Sequence, residues 1–421
     1  MEYIHDMKQQ LNTYSDTPLK NKFLVYFSHI ILFAFTIGNF VLFGSGQLQA
    51  LGFILVSTYA FIFMFFRERL PKELLLFLAW TIWVLVGYLV NPTLDQEYYF
   101  RDLFQLVQVI VMAIAFTGIV RYLGNIESVF IGFIVGGIAL VIFTMISGEL
   151  NFTMDLQNRS RTTGLTNNSN IFGYLMLFTS SGIYFFWRRT SKIIRFLMIF
   201  IFPLILMGII ASASRKSFIG FILLTLLWLW MCYRKEIIKK PYIILFFIIV
   251  LISFKYLTEY MLSETFMGYR FNRDFMQQQQ NLENQHRFML YKEGLTTISK
   301  YPIFGVGLGN DRRFTTTDAR GHSDYLEVAV NTGIIGFLLY FSMFLLLWRR
   351  IKRLENSIED NLILYDLGLL KAVFITIMIL ALGRANYVSQ VSWVFFSAAI
   401  GFTYYLELHI PNRSQSLKVS N

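Results

Sequence analysis

The chain has 421 residues, 55% of them hydrophobic, 18% aromatic and only 15% charged, with a mean hydropathy of +0.53. A soluble domain carries about 25% charged residues, so the composition excludes an ordinary soluble enzyme. The net charge of +11 would suggest nucleic acid in a soluble protein. Here basic loops facing anionic lipid account for most of it, and no nucleic-acid partner is implied.

Apolar runs of about 18 or more residues recur along the whole length, the pattern of an all-α polytopic membrane protein. Strands of a membrane barrel would alternate apolar and polar residues, and runs such as 242–250 do not. About twelve spans are expected from hydropathy and length. They lie near 22–43, 48–66, 73–90, 102–120, 127–147, 170–187, 193–211, 217–233, 242–258, 325–348, 363–383 and 391–409. The first is too long for a signal-peptide core and lacks a small-residue cleavage site behind it, so it reads as a retained span. The one cysteine, Cys232, excludes an internal disulfide and a cysteine-rich metal site.

Alternate loops concentrate Lys and Arg: Arg67 to Lys72, Arg188 to Arg195, Arg234 to Lys240, and Arg349 to Arg353. The positive-inside rule makes these cytoplasmic, with both termini on the same side. The expected organisation is one integral membrane domain over 1–421: nine spans in 1–258, a large outer loop over 259–324, and three spans in 325–409. Within that loop Asn284–Lys300 reads as a helix stopped by Pro302. A glycine-rich turn, Gly305 to Gly309, follows and lacks the strand–turn–helix context of a dinucleotide fold.

Four polar groups fall on the outward loops. The loop before the sixth span carries Arg159, Arg161 and a run of Thr, Asn and Ser ending at Asn170, suited to sugar hydroxyls or phosphate. Next comes the short break Ala211-Ser-Ala-Ser-Arg-Lys216. Its cations lie opposite the cytoplasmic loops, against the orientation bias. Arg215 offers a planar fork for phosphate oxygens and Lys216 a point charge, beside the free N–H groups of a helix start. Snorkelling to lipid headgroups is the alternative. The third group is Gln285 to Glu293, in which Arg287 and Tyr291 share a helix face; an interfacial helix with basic residues at lipid phosphates is the bland reading.

The fourth group is Gly321-His-Ser-Asp-Tyr-Leu-Glu327, leading to Gly333 and Gly336. Ser323 or Asp324 can cap the span that begins there. His322 is a candidate proton acceptor, with Asp324 and Glu327 as alternative bases or as groups that orient it. Gly333 and Gly336 read as a small-residue patch for close helix packing. No H-E-x-x-H, Walker or zinc-type Cys/His motif occurs, so no metal or other cofactor is expected. The spans hold few acidic residues, which argues against a proton-coupled pump.

In order, Thr163 to Asn170, Ser214-Arg215, Arg287 ahead of Tyr301-Pro-Ile-Phe-Gly-Val-Gly307, and His322 to Glu327 followed by Gly333 to Gly336 resemble the O-antigen ligase and O-antigen polymerase superfamily of bacterial membrane glycosyltransferases. The resemblance extends over nearly the whole chain through the span layout and the late outer loop. It implies a metal-independent inverting transferase, without a nucleotide sugar, in the bacterial cytoplasmic (inner) membrane. Such enzymes take a glycan from undecaprenyl diphosphate to an acceptor hydroxyl on the outer face. By position, Arg215 and Arg287 would hold the diphosphate, and His322 would activate or orient the acceptor. Lys216, Arg161, Asn170, Tyr291, Asp324 and Glu327 would contribute to substrate binding. Polymerisation of O-antigen or capsule-type repeats is the first expectation, with a chain-length regulator as a further partner. Ligation to lipid A–core is the second, and a lipid-linked oligosaccharide flippase is the rival from another class.

Overall fold

The computed structural model describes residues 22–41, 70–91, 96–150, 161–239, 267–270, 282–318, 320–321 and 323–409, with Val56, Thr58 and Thr265. Eleven helices organise them. They are α1 (Lys22–Val41), α2 (Lys72–Val90), α3 (Gln96–Leu123), α4 (Glu127–Ile146), α5 (Ser169–Trp187), α6 (Lys192–Ala211), α7 (Arg215–Lys239), α8 (Leu282–Lys300), α9 (Asp324–Ser357), α10 (Asn361–Leu380) and α11 (Gln390–His409). Among the described residues nine helices are long and apolar enough to cross a membrane. The protein is therefore an all-α polytopic membrane protein. The spans expected at 48–66 and 242–258 lie outside the described residues.

Helix α5 falls outside those nine because hydroxyls dilute its apolar sequence, yet it lies inside the bundle. Every side chain from Phe172 to Phe185 is buried. Thr179 and Ser180 return their hydroxyls to the carbonyls of Leu175 and Met176, each at 3.0 Å, so the helix satisfies its own polar groups without water. Helix α4 approaches it at Gly137, where a Cβ would stand 1.9 Å from Thr179 Oγ1. A small residue is obligatory at that crossing.

One end of the bundle gathers paired charges. Arg350 meets Glu73 and Glu407, each at 2.9 Å, and Arg353 meets Glu407 at 2.8 Å. Arg188 pairs with Glu236 at 2.6 Å, Lys371 with Glu355 at 2.7 Å, and Arg189 with Asp366. Several cations of the basic loops are thus neutralised within the fold, as partly buried charges require.

The other end contains a break where the sequence pattern predicts a single span. Residues 325–348 read as one straight span, but Gly333 adopts φ 68° and ψ −175° inside α9. Tyr340 OH donates to Asp324 Oδ2 at 3.2 Å, and the Tyr325 and Phe341 rings stack with centroids 4.8 Å apart. In a continuous helix sixteen residues span about 24 Å. The arm 324–332 must therefore fold back against 334–357, which carries its N-terminus down into the bundle. Gly333 is a hairpin apex rather than a helix-packing patch: a Cβ there would sit 2.1 Å from the Ile303 carbonyl oxygen. Only Gly336 performs the expected close packing, against Thr332 and Trp83.

The apex is held by the loop after α8. Val306 and Gly307 N–H donate to the Val330 and Asn331 carbonyls at 2.9 Å, and Ile334 N–H donates to Pro302 O at 2.8 Å. Trp83 Nε1 donates to Thr332 O at 2.9 Å, and Asn91 Nδ2 to Gly305 O at 3.1 Å. These bonds take up backbone groups that the reversal frees, as a broken helix at membrane depth requires. The glycine-rich segment is the turn expected of it.

Candidate active site

Three helix junctions meet at this end: 161–170 before α5, 211–217 between α6 and α7, and 381–389 between α10 and α11. At the first two, Thr162 N–H donates to Ala211 O at 3.2 Å. Arg161 extends the same contact, with Nε on Ser212 O at 3.2 Å and Nη2 on Asn170 Oδ1 at 2.8 Å. Asn168 caps α5 by accepting from Asn170 and Ile171 N–H. The α6–α7 turn is tight, with Ala213 at φ 47°. Ser212 Oγ accepts from Ser214 N–H at 3.1 Å, and Ser217 Oγ donates to Ser214 Oγ at 2.9 Å.

Arg270 enters this turn from the segment ahead of α8 and donates from Nη1 to Ala213 O at 2.6 Å. Burial, then the nearby Arg270 and Arg215 charges, push the Arg161 guanidinium down to about 10. Three guanidiniums are therefore crowded beside the start of α7, where the positive end of the helix dipole adds to the potential. The structure joins Arg161, Asn170 and Arg215 in one cluster and adds Arg270.

Lys216 and Tyr291 converge on a second point. Lys216 Nζ donates to Gly383 O, and Tyr291 OH donates to Leu382 O at 2.8 Å. Helix α8 thereby lies across the end of α10. Arg287 belongs to α8 one turn before Tyr291, and its side chain is outside the described atoms.

The folded-back arm of α9 makes the third part. Ser323 stands at the N-cap position without a side-chain capping bond. Asp324, also expected as a cap, turns inward because the 384–387 turn presents donors there. Its Oδ1 accepts from Asn386 and Tyr387 N–H at 2.8 and 3.1 Å, while Oδ2 takes the Tyr340 hydroxyl. Asp324, read as an alternative base or an orienting group, thus anchors this turn. Glu327 accepts from Tyr387 OH at 3.3 Å. Arg384 stacks on Tyr174 of α5, its guanidinium carbon 3.8 Å from the ring centroid. Tyr174 OH reaches Asn386 Oδ1 and Ser392 Oγ, which ties the third part to the first. His322 lies outside the described residues, between the described Gly321 and Ser323.

Sequence reading missed the Asp102–Arg320 pair. Arg320 Nη2 bonds Asp102 Oδ2, and Asp102 is fully buried near the start of α3. Burial opposes the Arg320 charge, but Tyr387, Asp102, Glu327 and Asp311 outweigh it and hold its guanidinium above the usual range. Burial likewise pushes the Asp311 carboxyl up, against the pull of Arg320. Asp311 N–H donates to Asn331 Oδ1 at 3.0 Å and its Oδ1 accepts from Asn331 Nδ2 at 3.3 Å. The available signal was an acid at the edge of the 102–120 span, since an ionisable residue within a span is a default functional signal. Among the described residues no group of three or more His, Cys, Asp or Glu side chains could hold a metal ion.

The fold and this end define a polytopic membrane protein with a cationic, hydroxyl-rich site built at helix breaks. A family model described as O-antigen ligase matches residues 199–341, about a third of the chain. The match contains Arg215, Lys216, Arg287, Tyr291, His322, Asp324 and Glu327, and ends before α10; Arg161 and Asn170 precede it. It supports membership of the O-antigen ligase and polymerase superfamily, and with it a glycan-handling activity. No curated protein matches the chain.

Proposed function

We propose that the protein transfers a glycan from undecaprenyl diphosphate to an acceptor hydroxyl on the outer face of the cytoplasmic membrane. Polymerisation of repeat units is the leading form of the reaction. The observation that carries this reading is the crowding of Arg161, Arg215 and Arg270 beside the first turn of α7. Positive charge gathered at one point suits a polyanion, and a diphosphate is the anion that the family resemblance favours.

In this reading His322 accepts the acceptor hydroxyl proton as the oxygen attacks the anomeric carbon. The bond from that carbon to the diphosphate oxygen breaks, and the lipid diphosphate leaves with the electron pair. Negative charge grows on the leaving group, so fixed guanidiniums stabilise the transition state more than the ground state. Arg215 and Arg287 hold the diphosphate, with Lys216 in support. Arg161, Asn170 and Tyr291 line the donor, and Asp324 and Glu327 set the 384–387 turn beneath the acceptor.

The test is transfer by purified protein with a defined lipid-linked repeat. His322→Ala should retain donor binding and lose turnover by at least about a hundredfold, in line with the loss of a general base. Arg215→Lys keeps the charge and loses the fork, and should also fall severely. Full transfer by His322→Ala would end this mechanism. Product growth on a second lipid-linked repeat supports polymerisation, whereas growth only on lipid A–core makes the protein a ligase.

A further inference from the structure

We infer that the groove between α9 and α10 seats the isoprenoid tail of the lipid diphosphate donor, an inference that rests on the donor proposed above. The groove follows from the Gly333 reversal, which sets Tyr325 beside Phe341 and leaves the face of α10 partly uncovered. It is an open trough of about 300 Å³ lined by Tyr325, Trp348, Phe374, Ile375, Met378 and Leu382. The Tyr325 hydroxyl donates to Met378 O at 3.0 Å, so it is already satisfied. Ile379 and Leu382, 43% and 58% exposed, form an open apolar rim.

The two ends differ, and the difference identifies the occupant. At one end Lys352 and Lys371 each stand 5.7 Å from the Trp348 ring centroid and stop the apolar surface. At the other, Leu382 O takes the Tyr291 hydroxyl and Gly383 O takes Lys216 Nζ. The apolar trough therefore runs directly into the cationic start of α7 and under α8, which carries Arg287. A ligand seated here has an anionic head and a single apolar chain attached to it. A polyprenyl diphosphate has that layout, whereas a glycerophospholipid brings one phosphate charge and two chains. An open trough of this size takes only the first isoprene units of such a tail. The remaining tail lies in lipid.

Two measurements on the full chain in nanodiscs test this. Undecaprenyl diphosphate with a diazirine in its second isoprene unit should label the peptide that contains Ile375 and Met378. Excess unlabelled undecaprenyl diphosphate should suppress that labelling at least tenfold, and phosphatidylglycerol should not. Met378→Trp fills the trough. It should raise KM for a long-tail donor about tenfold, leave kcat within twofold, and leave KM for a donor truncated to one isoprene unit unchanged. Ile375→Phe should give the same pattern if Met378→Trp fails to fold. Labelling confined to other helices, or equal suppression by phosphatidylglycerol, overturns the inference. Labelling uses no glycan, so a protein that labels here but transfers nothing keeps the groove and loses the proposed reaction. One that transfers but labels elsewhere does the reverse.

Discussion

Asp102 is a fully buried carboxylate near the start of α3, in contact with Arg101 at 3.3 Å, and its partner Arg320 stands two residues before His322. The approach is so close that residue 309 has no room for a side chain: a Cβ on Gly309 would lie 2.9 Å from Asp102 Oδ2, at a φ of +75°. Removing one partner of a buried ion pair costs roughly 3 kcal/mol. Asp102→Asn should therefore lower unfolding stability by about that amount and slow transfer. The double variant Asp102→Asn/Arg320→Gln should recover at least half of the stability loss, as measured by a double-mutant cycle on thermal melting. Additive losses would mean that the two side chains act independently. The candidate cations were legible from sequence because charge on an apolar background is conspicuous. Arg161 and Arg215 were readable as solitary signals, but their convergence with Arg270 was not. Fifty-five residues separate Arg215 from Arg270, and the chain between them carries no periodicity that predicts their meeting.

At the scale of elements, the hairpin in α9 decides how the site is built. Apolar content reads the same whether a segment crosses the membrane or folds back at mid-depth, so composition made 325–348 a single span. Two glycines at 333 and 336 resembled a packing motif, and the backbone conformation of Gly333 could not be read from its neighbours. Gly333→Ala would force a Cβ into the Ile303 carbonyl at a φ that L-residues avoid. It should destabilise the protein by at least about 3 kcal/mol, judged from cavity-free overpacking and backbone strain together. Gly336→Ala meets the Thr332 Cβ at 2.4 Å but no backbone carbonyl and no positive φ, and should be milder. The comparison is made by melting temperature and yield of folded protein in detergent. The remaining helices start and stop close to their expected limits because their ends coincide with charge and turn residues. The N-caps Asn168, Ser191 and Asp360 all accept backbone bonds at those starts.

For the whole molecule, the two ends carry opposite designs. One holds Arg188, Arg189, Arg350 and Arg353 in ion pairs with acids of neighbouring helices. The other gathers guanidiniums against backbone carbonyls and hydroxyls. If the basic loops are cytoplasmic, the cationic site faces outward. In a Cys232→Ser background, Thr316→Cys should react with a membrane-impermeant maleimide on intact cells. Ser357→Cys should react only after permeabilisation. Both positions are exposed, so the reverse pattern would invert the topology and place the site inside.

What the sequence determined by itself was the class of the protein and the chemistry available to it. Runs of apolar residues must become helices in lipid, where each backbone group needs an internal partner, and that requirement is local. The same locality marked Arg215, Lys216, Arg287 and His322 as residues out of keeping with their surroundings. The tertiary structure alone decided that Arg161, Arg215 and Arg270 share one cluster. It alone decided that Lys216 and Tyr291 grip the same turn, that Asp324 anchors 384–387, and that Gly333 turns a span back on itself. Each of these depends on contacts between segments far apart in the chain. Such contacts are chosen by packing shape and hydrogen-bond satisfaction, which no single stretch of sequence contains.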